Sequence, residues 1–340
     1  MKRKSFIFIC SVLCAIIVAD IAIFFSLYFK KNFSFVEKRK TTIENKSREF
    51  FDTCAAHANK TACYQDLFAT FTSQHSLQEA LILLQRLAKL DPSVKYCHPY
   101  AHKIAQEEVR KDPDKWLSVL ENIDPFACTR GFFHGVIEAH IGSNPNFRLN
   151  AQTIKKICGI VQGDSKANLA YDTSCAHATG HLLLVQTKGN IPEAINICSS
   201  LDDLNQYGCA EGVFMEDSNR ENLVEHGIAE RKKWDKNFIA ERETYCRTYQ
   251  GKIASACYVT LADLYASVYE GDKVLLFSLC ERAPTAFDKK RCFFEAAAFS
   301  TFLSVSRGNK REDLCDVLKD DKQYDECVSF ISTYLTRSLF

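Results

Sequence analysis

Residues 175–198 read CAHATGHLLLVQTKGNIPEAINIC, and the same plan recurs as CYVTLADLYASVYEGDKVLLFSLC at 257–280 and as CFFEAAAFSTFLSVSRGNKREDLC at 292–315. Each stretch has 24 residues and both begins and ends with cysteine. An apolar segment of about three helical turns comes first, then a glycine, then a shorter apolar segment. This pattern predicts two helices joined by a turn in which the glycine adopts a left-handed backbone conformation.

The cysteines that open these stretches recur at nearly constant intervals. Four of the steps between them are 34 or 35 residues, and the step from Cys209 to Cys257 is 48 residues. A period near 35 predicts an array of helical repeats. The longer step predicts an insertion at about 211–245, either a solvated addition or a lid over the residues before it.

Most of the cysteines fall into close pairs along the chain. Spacings of 9 to 17 residues give six pairs: Cys54/Cys63, Cys158/Cys175, Cys198/Cys209, Cys246/Cys257, Cys280/Cys292 and Cys315/Cys327. Cys97 and Cys128 remain, and they either bridge each other or offer two thiolates as metal ligands. So many paired cysteines indicate an oxidising compartment.

The N-terminus fits export of the chain. Residues 1–5 are basic, and residues 6–28 form an apolar run with the single charge Asp20, long enough for a bilayer core that needs about 20 residues. No small-residue cleavage site follows, so we expect an uncleaved anchor. Residues 1–5 would be cytoplasmic, 29–50 a charged stalk, and 51–340 a periplasmic or extracellular domain. Asp20 marks either a partner helix or a tolerated charge near one interface.

The period, the glycine turn and the cysteines that join neighbouring helices resemble tetratricopeptide and Sel1-like repeats, especially those of cysteine-rich exported Sel1-like proteins. The motifs C-x-x-G-x-x-H-G at 128–135 and C-x-H-x-x-G-H at 175–181 are similar to those of uncharacterised bacterial exported proteins. The fold class expected is all-α, a disulfide-stapled α-solenoid behind a transmembrane helix. The resemblance implies a protein or peptide partner bound in the groove of such an array.

Five of the nine histidines lie close to the cysteines of three consecutive repeats. Three pairs at positions i and i+4 place two side chains one turn apart on the same helix face. Equivalent positions on stacked helices can converge, and imidazole with carboxylate suits Zn, Fe or Cu. The predicted metal ligands are His98, His102, His134, Glu138, His177 and His181.

The same histidines also have a structural interpretation, as helix caps or hydrogen-bonded core residues. Two functions therefore stay open: binding of a protein or peptide, and a metal site or metalloenzyme in which Glu138, Glu211 or Glu216 serves as general base. Other chemistry has no support, because H-E-x-x-H, G-x-S-x-G, C-x-x-C and phosphate-loop motifs are absent. A net charge of +1 gives no basic surface for nucleic acid.

Overall fold

The computed structural model describes residues 42–95, 97–121, 128, 131–143, 148–162, 169–230, 232–269, 272–306, 314–318 and 320–338. The described residues are mostly α-helical and contain no strand, so the predicted all-α class is confirmed. The anchor predicted at 6–28 lies outside them. Within the described part of the chain, no helix combines the length and hydropathy that crossing a bilayer requires.

The first half of the described chain contains eight helices. They are α1 (42–54), α2 (Lys60–Gln74), α3 (Leu77–Leu90), α4 (His98–Lys111), α5 (Trp116–Glu121), α6 (Gly131–Gly142), α7 (Ala151–Gln162) and α8 (Leu169–Gln186). The second half contains α9 (Ile191–Cys198), α10 (Asp203–Asn219), α11 (Glu221–Glu225), α12 (Lys236–Cys246), α13 (Gly251–Val268), α14 (Lys273–Cys280), α15 (Ala286–Ser306) and α16 (Asp321–Ser338).

Short polar side chains set the start of several helices. Ser76 begins α3 with a reciprocal capping box, in which Ser76 Oγ accepts from the Glu79 amide and the Glu79 carboxylate accepts from the Ser76 amide. Asn190, Asp202 and Asp235 cap α9, α10 and α12 through their side chains in the same position. These caps satisfy amides that have no partner within the helix, so the local sequence fixes where each helix begins.

The longer helices pack on one another in chain order. α2 packs on α4, α4 on α6, α6 on α8, α8 on α10, α10 on α13, α13 on α15, and α15 on α16. The shorter helices α9, α12 and α14 each contact the longer helix that follows. Because each longer helix touches mainly its neighbours in the chain, residues one repeat apart can meet side by side.

Seven disulfides join the described cysteines. They are Cys54–Cys63, Cys97–Cys128, Cys158–Cys175, Cys198–Cys209, Cys246–Cys257, Cys280–Cys292 and Cys315–Cys327. The six pairs predicted from spacing are confirmed. Cys97 and Cys128 bond to each other, with Cα atoms 5.1 Å apart, so they are not thiolate ligands in this structure.

The predicted glycine turn is confirmed after α8. Gly189 has φ +82°, and its amide donates to the carbonyl of Leu184 at 2.8 Å, which closes the end of the helix. Gly142 follows Cys128 by 14 residues, as Gly189 follows Cys175, so the pattern predicts an equivalent turn there; it is instead the last residue of α6. The glycines expected at the two later turns, Gly271 and Gly308, lie outside the described residues.

Two segments have limits in the structure that differ from the predicted ones. Residues 42–50, expected at the end of the stalk, belong to α1, where Ile43 and Phe50 are buried in the core. Phe50 packs edge-on against Phe68 of α2 at 5.4 Å between ring centroids. The insertion expected at about 211–245 begins inside α10, whose residues up to Asn219 include a buried face. The elements between α10 and α12 are the short helix α11 and a loop.

Candidate metal centre

Three neighbouring helices bring five histidines into one cluster, which we call the histidine cluster: His98 and His102 from α4, His134 from α6, and His177 and His181 from α8. Ring centroids are 5.1 Å apart within the α4 pair and 4.9 Å apart within the α8 pair. His134 lies between the two pairs, 5.2 Å from His98 and 4.8 Å from His177. The predicted convergence of the three repeats therefore occurs.

Glycines allow α4 and α6 to approach closely beside these histidines. A Cβ added at Gly131 would lie 2.5 Å from the carbonyl oxygen of His98, and one at Gly135 would lie 2.3 Å from that of His102. Both distances are far below van der Waals contact, and the atoms met are backbone. Only glycine fits at these two positions, and the close packing brings His134 next to the α4 pair.

The same arrangement joins α8 to α10. A Cβ at Gly180 would lie 2.2 Å from the carbonyl oxygen of Cys209, and one at Gly212 would lie 2.0 Å from that of His177. The close approach places the side chains of α10 directly against the α8 histidines. This close packing of α8 and α10 also builds the cluster.

A carboxylate binds Nδ1 of three histidines. His177 Nδ1 is 2.8 Å from Glu211 Oε2, and His181 Nδ1 is 3.0 Å from Glu216 Oε2. His102 Nδ1 is 3.1 Å from an oxygen of Glu138. Because a carboxylate accepts hydrogen bonds, Nδ1 of each ring carries the proton. This pairing of carboxylate with imidazole is the one that orients metal-binding histidines in proteins.

The carboxylates are themselves held in place. The Leu223 amide donates to Glu216 Oε1 at 2.8 Å, and the Asn222 side chain donates both to Glu216 Oε2 at 3.0 Å and to Glu138 Oε1 at 3.1 Å. Gln106 Nε2 donates to the other oxygen of Glu138 at 3.0 Å. Asn222 belongs to α11, so the segment predicted as a possible lid supplies a link between α6 and α10.

Burial and neighbouring charge act in opposite directions on Glu138. Burial of the carboxyl favours its neutral form, but the ion pair and hydrogen bond with His102 outweigh burial and lower the pKa of Glu138 below its ordinary value. Glu138 is therefore ionised at neutral pH. A negative charge is thus fixed behind His102, where it makes that imidazole a better electron-pair donor.

The proton positions have a consequence for the α8 pair. With Nδ1 of both rings bonded to carboxylates, the neutral form of each imidazole has its lone pair at Nε2. His177 Nε2 and His181 Nε2 lie 3.1 Å apart. Two lone pairs at that distance repel each other unless a proton or a metal ion lies between them. The arrangement is that of a chelating pair.

His134 is the most buried of the five histidines, with 1% of its surface exposed. Neither of its ring nitrogens has a hydrogen-bond partner. Burial, followed by the nearby rings of His177 and His98, lowers the pKa of His134 well below its ordinary value, so the ring is neutral. A buried polar group without a partner costs about 1–3 kcal/mol, so His134 is positioned at an energetic cost that a ligand would offset.

The five histidines form two overlapping sets of possible metal ligands. One set is His98, His102 and His134, and the other is His134, His177 and His181. In each set, one nitrogen from each residue lies within 4.8 Å of the others. Sets of three imidazoles are common ligands for zinc, copper and iron.

A cavity of about 710 Å³ opens beside the cluster. Glu138 and Asn222 line it together with Gln106 and His226, and Arg110 and Arg148 lie at its wall. The cavity reaches Glu138, the carboxylate behind His102, so solvent, an ion or a small molecule has a path to this side of the site.

The structure separates the roles of the predicted residues. All five histidines lie in the cluster, whereas Glu138 contacts it from behind His102 and belongs to neither ligand set. Glu211 and Glu216, considered above as general bases, bind imidazole Nδ1 instead. His140, on the same helix as His134, stacks on Trp116 at 4.1 Å between centroids and stands apart.

Sequence reasoning missed the amides of Gln106 and Asn222 that hold the carboxylates. Gln106 could have been found, because it lies one helical turn after His102 on the same face of α4. Asn222 carries no comparable signal, because it lies 84 residues from Glu138 in a segment outside the repeat pattern.

Comparison with known proteins adds no relative: no family model matches the chain, and no match is found among curated proteins or among solved structures.

Proposed function

We propose that this protein binds a transition metal ion at the histidine cluster. The observation that carries the proposal is the α8 pair, in which His177 Nε2 and His181 Nε2 face each other at 3.1 Å while carboxylates occupy both Nδ1 atoms. Two imidazole nitrogens bound to one tetrahedral ion at about 2.0–2.1 Å lie about 3.3 Å apart. The separation in the protein, 3.1 Å, is close to that value.

The surroundings of the pair support the same conclusion. Buried imidazoles with carboxylates at Nδ1 are oriented and electron-rich, and outer partners of this kind typically strengthen metal binding by about 10–100-fold. The ligand set is nitrogen-rich and contains no thiolate, which favours zinc or copper over calcium or magnesium. The ring nitrogens of His134, which have no hydrogen-bond partner, lie beside the pair and offer a further metal ligand.

The setting of this site is also part of the proposal. Seven disulfides support a domain that folds in an oxidising compartment. The helices that pack in chain order support an α-solenoid. The apolar run at residues 6–28 supports a membrane anchor for this domain. We therefore propose metal binding, storage or transfer at the outer side of a membrane. Binding of a protein or peptide partner stays a separate prediction that no observed contact tests.

A structural explanation of the same geometry is a proton shared by His177 and His181. Such a proton would give one imidazolium in the cluster and no affinity for metal. Metal content distinguishes the two, because a proton-bridged pair would bind Zn²⁺ or Cu²⁺ no better than exposed histidines elsewhere on the chain.

The experiment is elemental analysis of the full chain, exported into an oxidising compartment, purified without a histidine tag and incubated with Zn²⁺ or Cu²⁺ before removal of weakly bound ions. We expect at least one ion per chain in the wild type. The double variant His177→Ala/His181→Ala should lose it, and the matched double variant of two exposed histidines, His57→Ala/His75→Ala, should retain it. A wild type that keeps no ion would refute the proposal.

A further inference from the structure

His134 has two features that a single metal ion does not account for. It belongs to both ligand sets, and both of its ring nitrogens lack a hydrogen-bond partner while the ring is buried. Its centroid lies 5.2 and 5.5 Å from His98 and His102 on one side, and 4.8 and 5.2 Å from His177 and His181 on the other. The ring is therefore equally close to a chelating pair on each flank.

The number of donors also exceeds what one ion takes. A tetrahedral ion takes four ligands, and five imidazoles lie in the cluster. When His134 is counted in both, the five imidazoles give two sets of three. Each set combines His134 with the two histidines of one helix. Three nitrogen ligands per ion leave one position for water or another small ligand, as in open metal sites.

We propose that His134 bridges two divalent metal ions, one held by His98 and His102 and the other by His177 and His181. The inference rests on the proposed function, since it concerns the same cluster. Bridging requires a lone pair at both ring nitrogens, so the N–H bond of His134 breaks, its proton leaves to solvent, and two metal–nitrogen bonds form. No electron is transferred, and the residue becomes an imidazolate anion.

Only small movements are needed to bind the ions. The candidate nitrogens of each set lie within 4.8 Å of one another, whereas ligands of a tetrahedral ion lie about 3.3 Å apart. Rotation of the rings about their outer torsion, which has a broad energy minimum, can draw the nitrogens of each set together. The helices themselves can stay in place.

The test is a titration of the metal-free full chain with Cu²⁺, in the presence of glycine as a weak competitor for surface sites. Electron paramagnetic resonance at low temperature reads the result. Two Cu²⁺ ions joined by an imidazolate have coupled electron spins, because the bridging ring connects their half-filled orbitals. We expect two tightly bound ions per chain, with a signal that grows up to the first equivalent and falls with the second.

Two variants identify the bridge. His134→Gln keeps a polar side chain of similar length but cannot bridge, so we expect at most one tightly bound ion and a signal that does not fall. His140→Ala, on the same helix but outside the cluster, should keep both ions and the coupling. The wild-type titration decides the question even if His134→Gln fails to fold.

Each outcome bears on a different claim. Two ions with a falling signal support the bridge. One ion in the wild type, or two ions whose signals simply add, would overturn the bridge and leave the proposed metal site intact. No tightly bound ion would overturn both.

Discussion

Among the glycines whose surroundings the structure describes, Gly212 is the one at which an added methyl group would make the closest backbone contact. In Gly212→Ala the new Cβ would lie 2.0 Å from the carbonyl oxygen of His177 and 3.1 Å from the Cα of Gly180. Ordinary contact begins near 3.4 Å, so α8 and α10 would have to separate by about 1.4 Å. The atoms met are backbone, so no side chain can rotate away.

The size of the effect follows from two opposing contributions. Overpacking of a tight core costs about 1–3 kcal/mol, and the rigid backbone contact places Gly212→Ala near the upper end. Alanine within a helix recovers about 1 kcal/mol relative to glycine. We therefore expect the free energy of unfolding to fall by about 2 kcal/mol. Metal affinity should fall as well, because α10 carries Glu211 and Glu216.

The assay is denaturant unfolding of the oxidised protein, with a chelator present so that packing alone is measured. The control is Gly159→Ala in α7, where an added Cβ meets no atom within 4 Å. That variant should be more stable than the wild type by up to about 1 kcal/mol, since only helix propensity changes. If Gly212→Ala and Gly159→Ala had equal stability, the close approach of α8 and α10 would not exist and the account of the cluster would be wrong.

Three further changes test other parts of the structure. Glu216→Gln should weaken metal binding by about 10–100-fold, measured by competition with a chelator, whereas Glu230→Gln, at an exposed site, should have no effect. Replacing Cys97 and Cys128 together by serine opens a loop of 31 residues and should lower the free energy of unfolding by about 3.7 kcal/mol; an unchanged denaturation midpoint would contradict this. Asp263 has a buried oxygen without a partner, and burial raises its pKa well above the ordinary value, so the folded protein holds the proton to a higher pH than the unfolded chain, which ionises this group above about pH 4. Asp263→Asn should therefore be more stable than the wild type at pH 7, with an advantage that shrinks as pH falls toward 4; a constant difference across that range would refute the assignment.

The sequence by itself determined the helical class and the covalent framework. Cysteine spacing is a local property, and two cysteines 9 to 17 residues apart at the ends of adjacent helices have few other partners within reach. For Cys97 and Cys128 the sequence left open a mutual bridge or two thiolate ligands, and the structure joins them in a disulfide. Short polar caps such as Asn190 set helix starts for the same local reason.

The repeat also determined which histidines could meet. A period near 34 residues puts equivalent positions of consecutive repeats side by side, so the i,i+4 spacing of His98/His102 and His177/His181 indicated that these histidines could converge. It could not assign a role to each residue. In the sequence, Glu138 and Glu211 are both carboxylates on a predicted helix, and either could serve as a metal ligand or as a general base.

Only the tertiary structure decided which nitrogen of each ring faces the centre of the cluster. That choice depends on the carboxylates across the interface, on Glu211 34 residues from His177 and on Glu216 35 residues from His181. Those contacts depend in turn on backbones that approach closely only because Gly180 and Gly212 have no Cβ. Side-chain direction between helices is set by their separation and rotation, which are properties of the packed interface and are not encoded in the spacing along either helix.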